Sequence, residues 1–418
     1  MTAEIFSVGT ELLLGDIVNT NAAFLSKGLA NLGIAVYNQS TVGDNVDRLL
    51  LLLESAFAKA DMVIASGGIG PTQDDITKVA AALYFGRKLV THDESLQRIK
   101  KLFIGRKMCE QVHRNAIIPE GCDVLPNDHG CAPGIVIEEG GKLLILLPGP
   151  PHEMEPMFLS YVVPILRKKT DGIFLSRTLK IIGTGECEVE SLLRDLIDTQ
   201  TNPTIAPYAK MGEVHLRLTA SAPDENSAKK LINPVADEIY SRLSPNIYGE
   251  DDDDLAAIVV DMLKSQNLTV ATAESCTGGL VASALVSVPG CSDVFCQGMI
   301  TYANDAKISR LGVDAHLLKK HGAVSPQVAA AMAEGAAQTS GTSLGLSTTG
   351  IAGPGGGTLE KPVGLVYVGL CRQVSASEYS TKTASFRLSG CRNEIRIRAA
   401  NMALDMLRRE VCLGDGIV

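Results

Sequence analysis

Short apolar runs that stop abruptly on glycine or proline set the limits on this chain. Glu4-Ile-Phe-Ser-Val8 runs into Gly9, Met62-Val-Ile-Ala65 into Ser66-Gly67-Gly68, and Leu143-Leu-Ile-Leu-Leu147 into Pro148-Gly149-Pro150-Pro151. Leu268-Thr-Val-Ala-Thr272 is followed within a few residues by Gly278-Gly279. Runs of this length read as buried strands. Between them, residues 21–30, 48–59 and the stretch after Gly278 carry helical spacing. Strand, tight turn and helix in repetition predict a mainly parallel sheet with helices on both faces, so the class is α/β. Ligands in such a fold bind outside the carboxyl ends of the strands.

A chain of 418 residues exceeds one ordinary core, and its pattern divides it in three. Residues 1–168 carry the first strand–helix repeats, and residues 254–418 carry the last. Residues 169–249 differ: Ser176-Arg-Thr-Leu-Lys-Ile-Ile182 and Glu213-Val-His-Leu-Arg-Leu-Thr219 alternate, with helices around 186–197 and 224–242, which predicts a small α+β domain. Glu250-Asp-Asp-Asp-Asp254 reads as a solvated linker whose last aspartates cap a helix starting near Leu255. It lacks the alternating ligands and turn glycine of a calcium loop.

The net charge of −9 disfavours a dedicated nucleic-acid binder, so no nucleic-acid partner is expected. No apolar run approaches a membrane span, the opening Met1-Thr-Ala-Glu-Ile-Phe-Ser lacks a basic signal-peptide start, and the cysteines form no CxxC pair. The expectation is a cytoplasmic protein with reduced thiols and no membrane partner.

Two residues suggest chemistry in the last domain. Ser275, in Thr272-Ala-Glu-Ser-Cys-Thr-Gly-Gly279, falls at a strand-to-helix turn, where free N–H groups and the positive end of a helix dipole would face a ligand. Lys307, in Ile300-Thr-Tyr-Ala-Asn-Asp-Ala-Lys307, would act as a base once desolvation makes it neutral. A serine nucleophile, a lysine base and the N–H groups of Cys276, Thr277, Gly278 and Gly279 as oxyanion donors outline an acyl-transfer site. Tyr302 would relay a proton or orient the base, and Cys276 is a rival nucleophile with no histidine placed to activate it. The competing roles are ordinary ones: Ser275 as a helix cap and Lys307 as a helix-surface residue. Gly350, Gly353, Gly355 and Gly356 can present N–H groups to a substrate phosphate, and Arg392 shares a helix face with Arg396. Arg396 and Arg398 are expected on a solvated helix surface.

The first domain carries a second constellation, spread over three strand ends. Gly9, Thr10 and Asn19, then Gly67, Gly68, Gly70 and Thr72, then Pro148 and Gly149 would cradle a nucleotide phosphate through backbone and hydroxyl donors. Glu11, Asp16, Asp74 and Asp75 offer hard oxygen ligands to a divalent cation, which would neutralise a pyrophosphate and activate water. The alternative makes the glycines a tight turn and the aspartates helix caps. Pterin binding without hydrolysis is a third possibility.

The serine and lysine motifs, with His321-Gly-Ala-Val-Ser-Pro326, Ser347-Thr-Thr-Gly-Ile-Ala-Gly-Pro-Gly-Gly-Gly357 and Lys361-Pro-Val-Gly364, resemble the C-terminal amidohydrolase domain of the CinA (competence/damage-inducible) family. The resemblance spans residues 254–418 nearly end to end. It implies a three-layer α/β/α domain that deamidates nicotinamide mononucleotide without a cofactor, with Arg392 as a phosphate contact. Residues 1–168 resemble the MoaB/MogA-like molybdopterin-binding fold in the variant that opens CinA proteins. That implies a second α/β/α domain, hydrolysis of ADP-ribose to AMP and ribose 5-phosphate with Mg, Mn or Co, and Glu11, Asp16, Asn19, Asp74 and Asp75 in its phosphate and metal site. The middle segment is similar to the KH-like segment of long CinA proteins. It has Gly183-Thr-Gly185-Glu186 in place of a GxxG loop, so a structural or dimerising role is expected rather than RNA binding.

The resemblance also implies a homodimer. One position departs from the pattern: Cys391 stands before Arg392 where the family usually has an acidic residue, which would alter either the orientation of Arg392 or a helix cap. The expectation is a bifunctional pyridine-nucleotide enzyme. Its competitors are a pterin or nucleotide-binding protein with an inactive C-terminal domain, and a non-enzymatic competence or repair scaffold.

Overall fold

A computed structural model describes residues 1–104, 109–170, 172–375 and 378–414. The chain falls into two compact units, Met1–Leu175 with Ala220–Lys230, and Ser176–Thr219 with the chain from Leu231 onward.

In the first unit six strands lie in the order Ala35–Val42, Thr2–Val8, Met62–Ser66, Lys142–Leu147, Gly134–Glu139 and Asp123–Leu125. The first four are parallel and the last two join antiparallel. Successive side chains of a strand point to opposite faces. Ile5, Ile64 and Ile145 therefore pack against Leu25 and Leu29 of the helix Thr20–Asn31, while Phe6, Val63 and Leu144 pack against Leu49 and Leu53 of the helix Val46–Phe57. A run apolar at every position is what a sheet covered on both faces requires.

The second unit repeats the plan with five strands, ordered Phe295–Ile300, Val270–Glu274, Leu344–Gly350, Leu365–Gln373 and Tyr379–Arg387. The first three run parallel and the rest antiparallel. Val270, Leu346 and Leu370 face Val259 and Leu263 of the helix Leu255–Ser265 and Leu404 and Leu407 of the helix Arg392–Gly414. Ala271 and Ala273 face Val328 and Met332 of the helix Pro326–Ser340. That helix lies very close to the sheet: a Cβ on Gly345 would stand 2.0 Å from the Ala333 carbonyl oxygen.

The middle segment forms a four-stranded sheet, ordered Thr204–Lys210, Glu213–Ala222, Ile173–Ile182 and Ile247–Glu250. Its two outer strands are absent from the sequence reading. The acidic run is more structured than a solvated linker: Glu250 ends its strand and accepts from Arg177 Nε at 2.6 Å and from the Tyr240 hydroxyl at 2.7 Å. Asp254 does cap the next helix, accepting from the Ala257 N–H at 3.0 Å. Among the described residues no helix is long and apolar enough to cross a membrane.

Candidate active sites

Ser275 directly follows the strand Val270–Glu274, and its N–H donates to the Thr348 carbonyl at 3.0 Å. The next helix starts only at Leu280, so Ser275 is not its cap. Gly278 and Gly279, at φ of +62° and +96°, turn the chain in between, a conformation that costs glycine little. Lys307, in the helix Asn304–Leu311, is 1% exposed and so is not a surface residue. Its Nζ lies 3.1 Å from Ser275 Oγ, 2.7 Å from the Thr301 carbonyl oxygen and 3.1 Å from that of Tyr302.

A neutral amine has two N–H donors and one lone pair. With the amine neutral, the Thr301 and Tyr302 carbonyls take its two donors and its lone pair is left for the Ser275 hydroxyl proton; in the charged form the third donor goes to Ser275 Oγ. Burial pulls the Lys307 pKa below the ordinary lysine value, which favours that neutral form. Burial pushes the neighbouring Cys276 thiol the other way, up to about 12, and a thiol that holds its proton is a poor nucleophile.

The turn after Ser275 is organised by a carboxylate. Glu274 is buried, and its Oε2 accepts from the Thr277 hydroxyl at 2.6 Å, the Gly279 N–H at 2.8 Å and the Val281 N–H at 3.2 Å. Its Oε1 accepts from the Ala282 N–H at 2.8 Å. Three expectations are corrected. The N-terminus of the helix Leu280–Val286 is already neutralised by Glu274 and is not open to a ligand, and the Gly279 N–H is spent, which leaves Cys276, Thr277 and Gly278 as oxyanion donors. Arg396 is not solvated helix surface either: its Nη2 and Nε donate to the Thr277 carbonyl at 2.9 and 3.3 Å.

Arg392 is exposed at the start of the last helix, donating from Nη1 to the Gly353 carbonyl at 2.6 Å and from Nη2 to the Tyr302 hydroxyl at 3.1 Å. Tyr302 thus meets Lys307 through its carbonyl and Arg392 through its phenol. Gly353 and Gly356 adopt φ of +79° and +83° in the glycine-rich loop, and Gly355 has open space around it. Gly350 belongs to the sheet, paired with Val366, rather than to the loop. The Cys391 N–H donates to Glu394 Oε2 at 2.7 Å, and Arg398 turns to Ser389 at 3.1 Å.

In the first unit two cavities open at the carboxyl ends of the strands. One, of about 560 Å³, is lined by Glu11, Gly67, Gly68, Gly70, Thr72, Asp75 and Pro148, with Gly149. The other, of about 480 Å³, is lined by Asn19, Asn21 and Ser66, and the two share Val8, Glu11, Gly149 and Pro150. Several expected donors are already committed. The Gly9 N–H goes to the Val42 carbonyl at 3.0 Å, the Thr10 hydroxyl to Asp44 at 2.7 Å and the Thr72 hydroxyl to Asp75 at 2.6 Å. Asn19 caps the helix Thr20–Asn31 by accepting from the Ala22 N–H at 3.1 Å.

Among the described residues no group of three or more His, Cys, Asp or Glu stands ready to hold a metal ion. Asp16 and Asp74 line neither cavity, so the expected set of four carboxylates is not assembled. Glu11 and Asp75 face the larger cavity together, and a hard divalent cation held by one or two carboxylates and substrate phosphates fits that pair. Sequence reasoning missed Glu153, which lines the same cavity and accepts from Asn127 Nδ2 at 2.6 Å. It also missed Lys78, buried behind Asp75 with its Nζ on the Arg114 carbonyl at 2.9 Å and pulled down to about 8 by burial. A lone lysine in the apolar Thr77-Lys-Val-Ala-Ala81 was the available signal.

Comparison with known proteins matches three domains along the chain. Residues 252–411 match the CinA C-terminal domain, residues 4–168 a probable molybdopterin binding domain, and residues 176–249 the KH domain of damage-inducible protein CinA. A putative competence-damage inducible protein of Clostridium acetobutylicum is 51% identical over 413 residues, covering 98% of this chain and 99% of that one. A CinA-like protein of Dictyoglomus thermophilum is 55% identical over 411 residues, again covering 98% and 99%. Among solved structures, a competence/damage inducible protein from Agrobacterium tumefaciens is 43% identical, covers 37% of this chain and 91% of that one, and has a TM-score of 0.35.

Proposed function

The chain belongs to the CinA family, and from that premise we propose that its second unit is a serine amidohydrolase that deamidates nicotinamide mononucleotide. The observation that carries this is the buried Lys307 amine 3.1 Å from Ser275 Oγ. Lys307 Nζ takes the hydroxyl proton as Ser275 Oγ bonds to the carboxamide carbon, and the carbonyl oxygen becomes an oxyanion held by backbone N–H groups of the 276–278 turn. The carbon–nitrogen bond then breaks, the lysine returns the proton to the departing nitrogen, and ammonia leaves. A water, deprotonated by the same lysine, attacks the acyl-serine. Its carbon–oxygen bond breaks, Ser275 recovers its proton and nicotinic acid mononucleotide is released. Arg392 and the loop from Gly353 to Gly356 would take the substrate phosphate.

The test is ammonia release from nicotinamide mononucleotide by the full chain in the presence of chelator. Ser275→Ala and Lys307→Ala are each expected to lose about a thousandfold or more in kcat. Turnover that survives in Ser275→Ala would sink the assignment.

A second activity is favoured by the paired cavities of the first unit. Two lobes joined at Glu11 and Gly149 suit a ligand with a group at each end and an anionic bridge in the middle, which ADP-ribose is and a single pterin ring is not. When bound, a divalent cation there would neutralise the pyrophosphate and activate the attacking water. Glu11 and Asp75 would hold it, and the glycines at 67, 68 and 149 would let the phosphates approach the backbone.

A further inference from the structure

We propose that Arg396 and Glu274 form a two-sided brace that aims the Gly278 N–H at the oxyanion position beside Ser275. Both are positioning residues, and the inference rests on the acyl-transfer role proposed for Ser275. In a trans peptide the C=O of one residue and the N–H of the next point in opposite directions. The Arg396 guanidinium grips the Thr277 carbonyl with two donors, at 2.9 and 3.3 Å, so the Gly278 N–H of the same peptide is turned away from the last helix. Glu274 holds the turn from its other side, through the Thr277 hydroxyl at 2.6 Å and the Gly279 N–H at 2.8 Å.

The peptide between Thr277 and Gly278 is thus fixed at both ends, with the permissive glycine φ of +62° beside it. A Cβ at position 278 would come 3.3 Å from Arg396 Nη2, so glycine also gives the guanidinium room against the turn. Polarising the Thr277 carbonyl strengthens the Gly278 N–H as a donor, since linked hydrogen bonds reinforce one another. The contribution belongs to the transition state, because only there does the substrate oxygen carry the charge that this N–H meets.

The experiment uses full-length wild type, Arg396→Met, Arg396→Lys and Glu274→Gln, each checked for folding by thermal melt. Three reactions are followed: nicotinamide mononucleotide, its riboside without phosphate, and acylation of Ser275 by p-nitrophenyl acetate. Arg396→Met is expected to lower kcat about 10- to 100-fold, by misaiming one oxyanion donor, with KM within about twofold. Riboside turnover and acylation should slow by the same factor, Arg396→Lys should recover part of it, and Glu274→Gln should share the kcat-only signature. A raised KM for the mononucleotide with unchanged riboside turnover would make Arg396 a phosphate ligand and overturn the brace. Unchanged rates in folded Arg396→Met would also overturn it. If wild type acylates but leaves the mononucleotide intact, the substrate assignment falls, and the acylation rates alone decide the brace. If wild type shows neither Ser275-dependent acylation nor Ser275-dependent ammonia release, both fall; if it shows ammonia release alone, the mononucleotide and riboside rates decide the brace.

Discussion

A lysine can be a base near neutral pH only where water is kept from it, and Lys307 meets that condition by burial among carbonyl oxygens. Its lowered pKa gives a pH signature with a defined sign. In the proposed reaction the neutral amine is the working form, so kcat/KM should climb with pH and level off above the pKa of Lys307. The midpoint should fall below the value of about 10.4 for free lysine. Stability follows the same direction. Between the folded and the unfolded pKa the unfolded chain binds more protons, so the folded state gains with rising pH in that window. Lys307→Met should flatten this rise in a melting series, and Lys307→Arg, which cannot deprotonate, should be inactive throughout. A rate limb centred at or above the free-lysine value would contradict the assignment.

Among the elements, the last helix shows how a departure from a family pattern can be read in physical terms. Cys391 accepts the first helical hydrogen bond, from the Ile395 N–H at 3.0 Å, so it occupies the N-cap position. Glu394 already returns to the Cys391 N–H at 2.7 Å, which is half of a capping box. A thiol is a weak acceptor and leaves the other half unmade. Cys391→Asp should therefore stabilise the protein by about 1 kcal/mol, visible as a rise of roughly 2–4 °C in Tm, and leave kcat near wild type. A lowered Tm would show that the thiol packs in a way a carboxylate cannot.

The central strands and the Asp254 cap were legible because period and residue type agree there. The strand Gly134–Glu139 was not legible, because its buried Ile135-Val-Ile137 is only three residues long before Glu138-Glu139 and the Gly140-Gly141 turn, both glycines at positive φ, lead into Lys142–Leu147. Ser275 and Lys307 were picked out by their motifs together with the family resemblance, and the structure brings them within 3.1 Å. Glu274 and Arg396 were not, because a strand-end glutamate and a helix arginine carry the same letters whether they meet water or brace a turn.

In the whole molecule, each candidate site is built from residues of one unit: Ser275, Lys307, Arg392 and Arg396 in the second, and Glu11, Asp75, Gly67 and Gly149 in the first. The two chemistries also differ in kind. Acyl transfer to serine takes its base and its oxyanion donors from the protein. In the proposed pyrophosphate hydrolysis the negative charge of the substrate needs an offset, and Glu11 and Asp75 would hold a divalent cation that supplies it. Chelator should therefore abolish ADP-ribose hydrolysis and leave ammonia release untouched. Glu11→Gln should repeat the first loss and Ser275→Ala should do the reverse. Their double variant should lose both by the same factors as the single ones, as sites without shared residues do. Ammonia release that falls with chelator, or in Glu11→Gln, would mean that the deamidase depends on the occupied state of the other unit. The chain would then be a coupled enzyme, not two independent ones on one polypeptide.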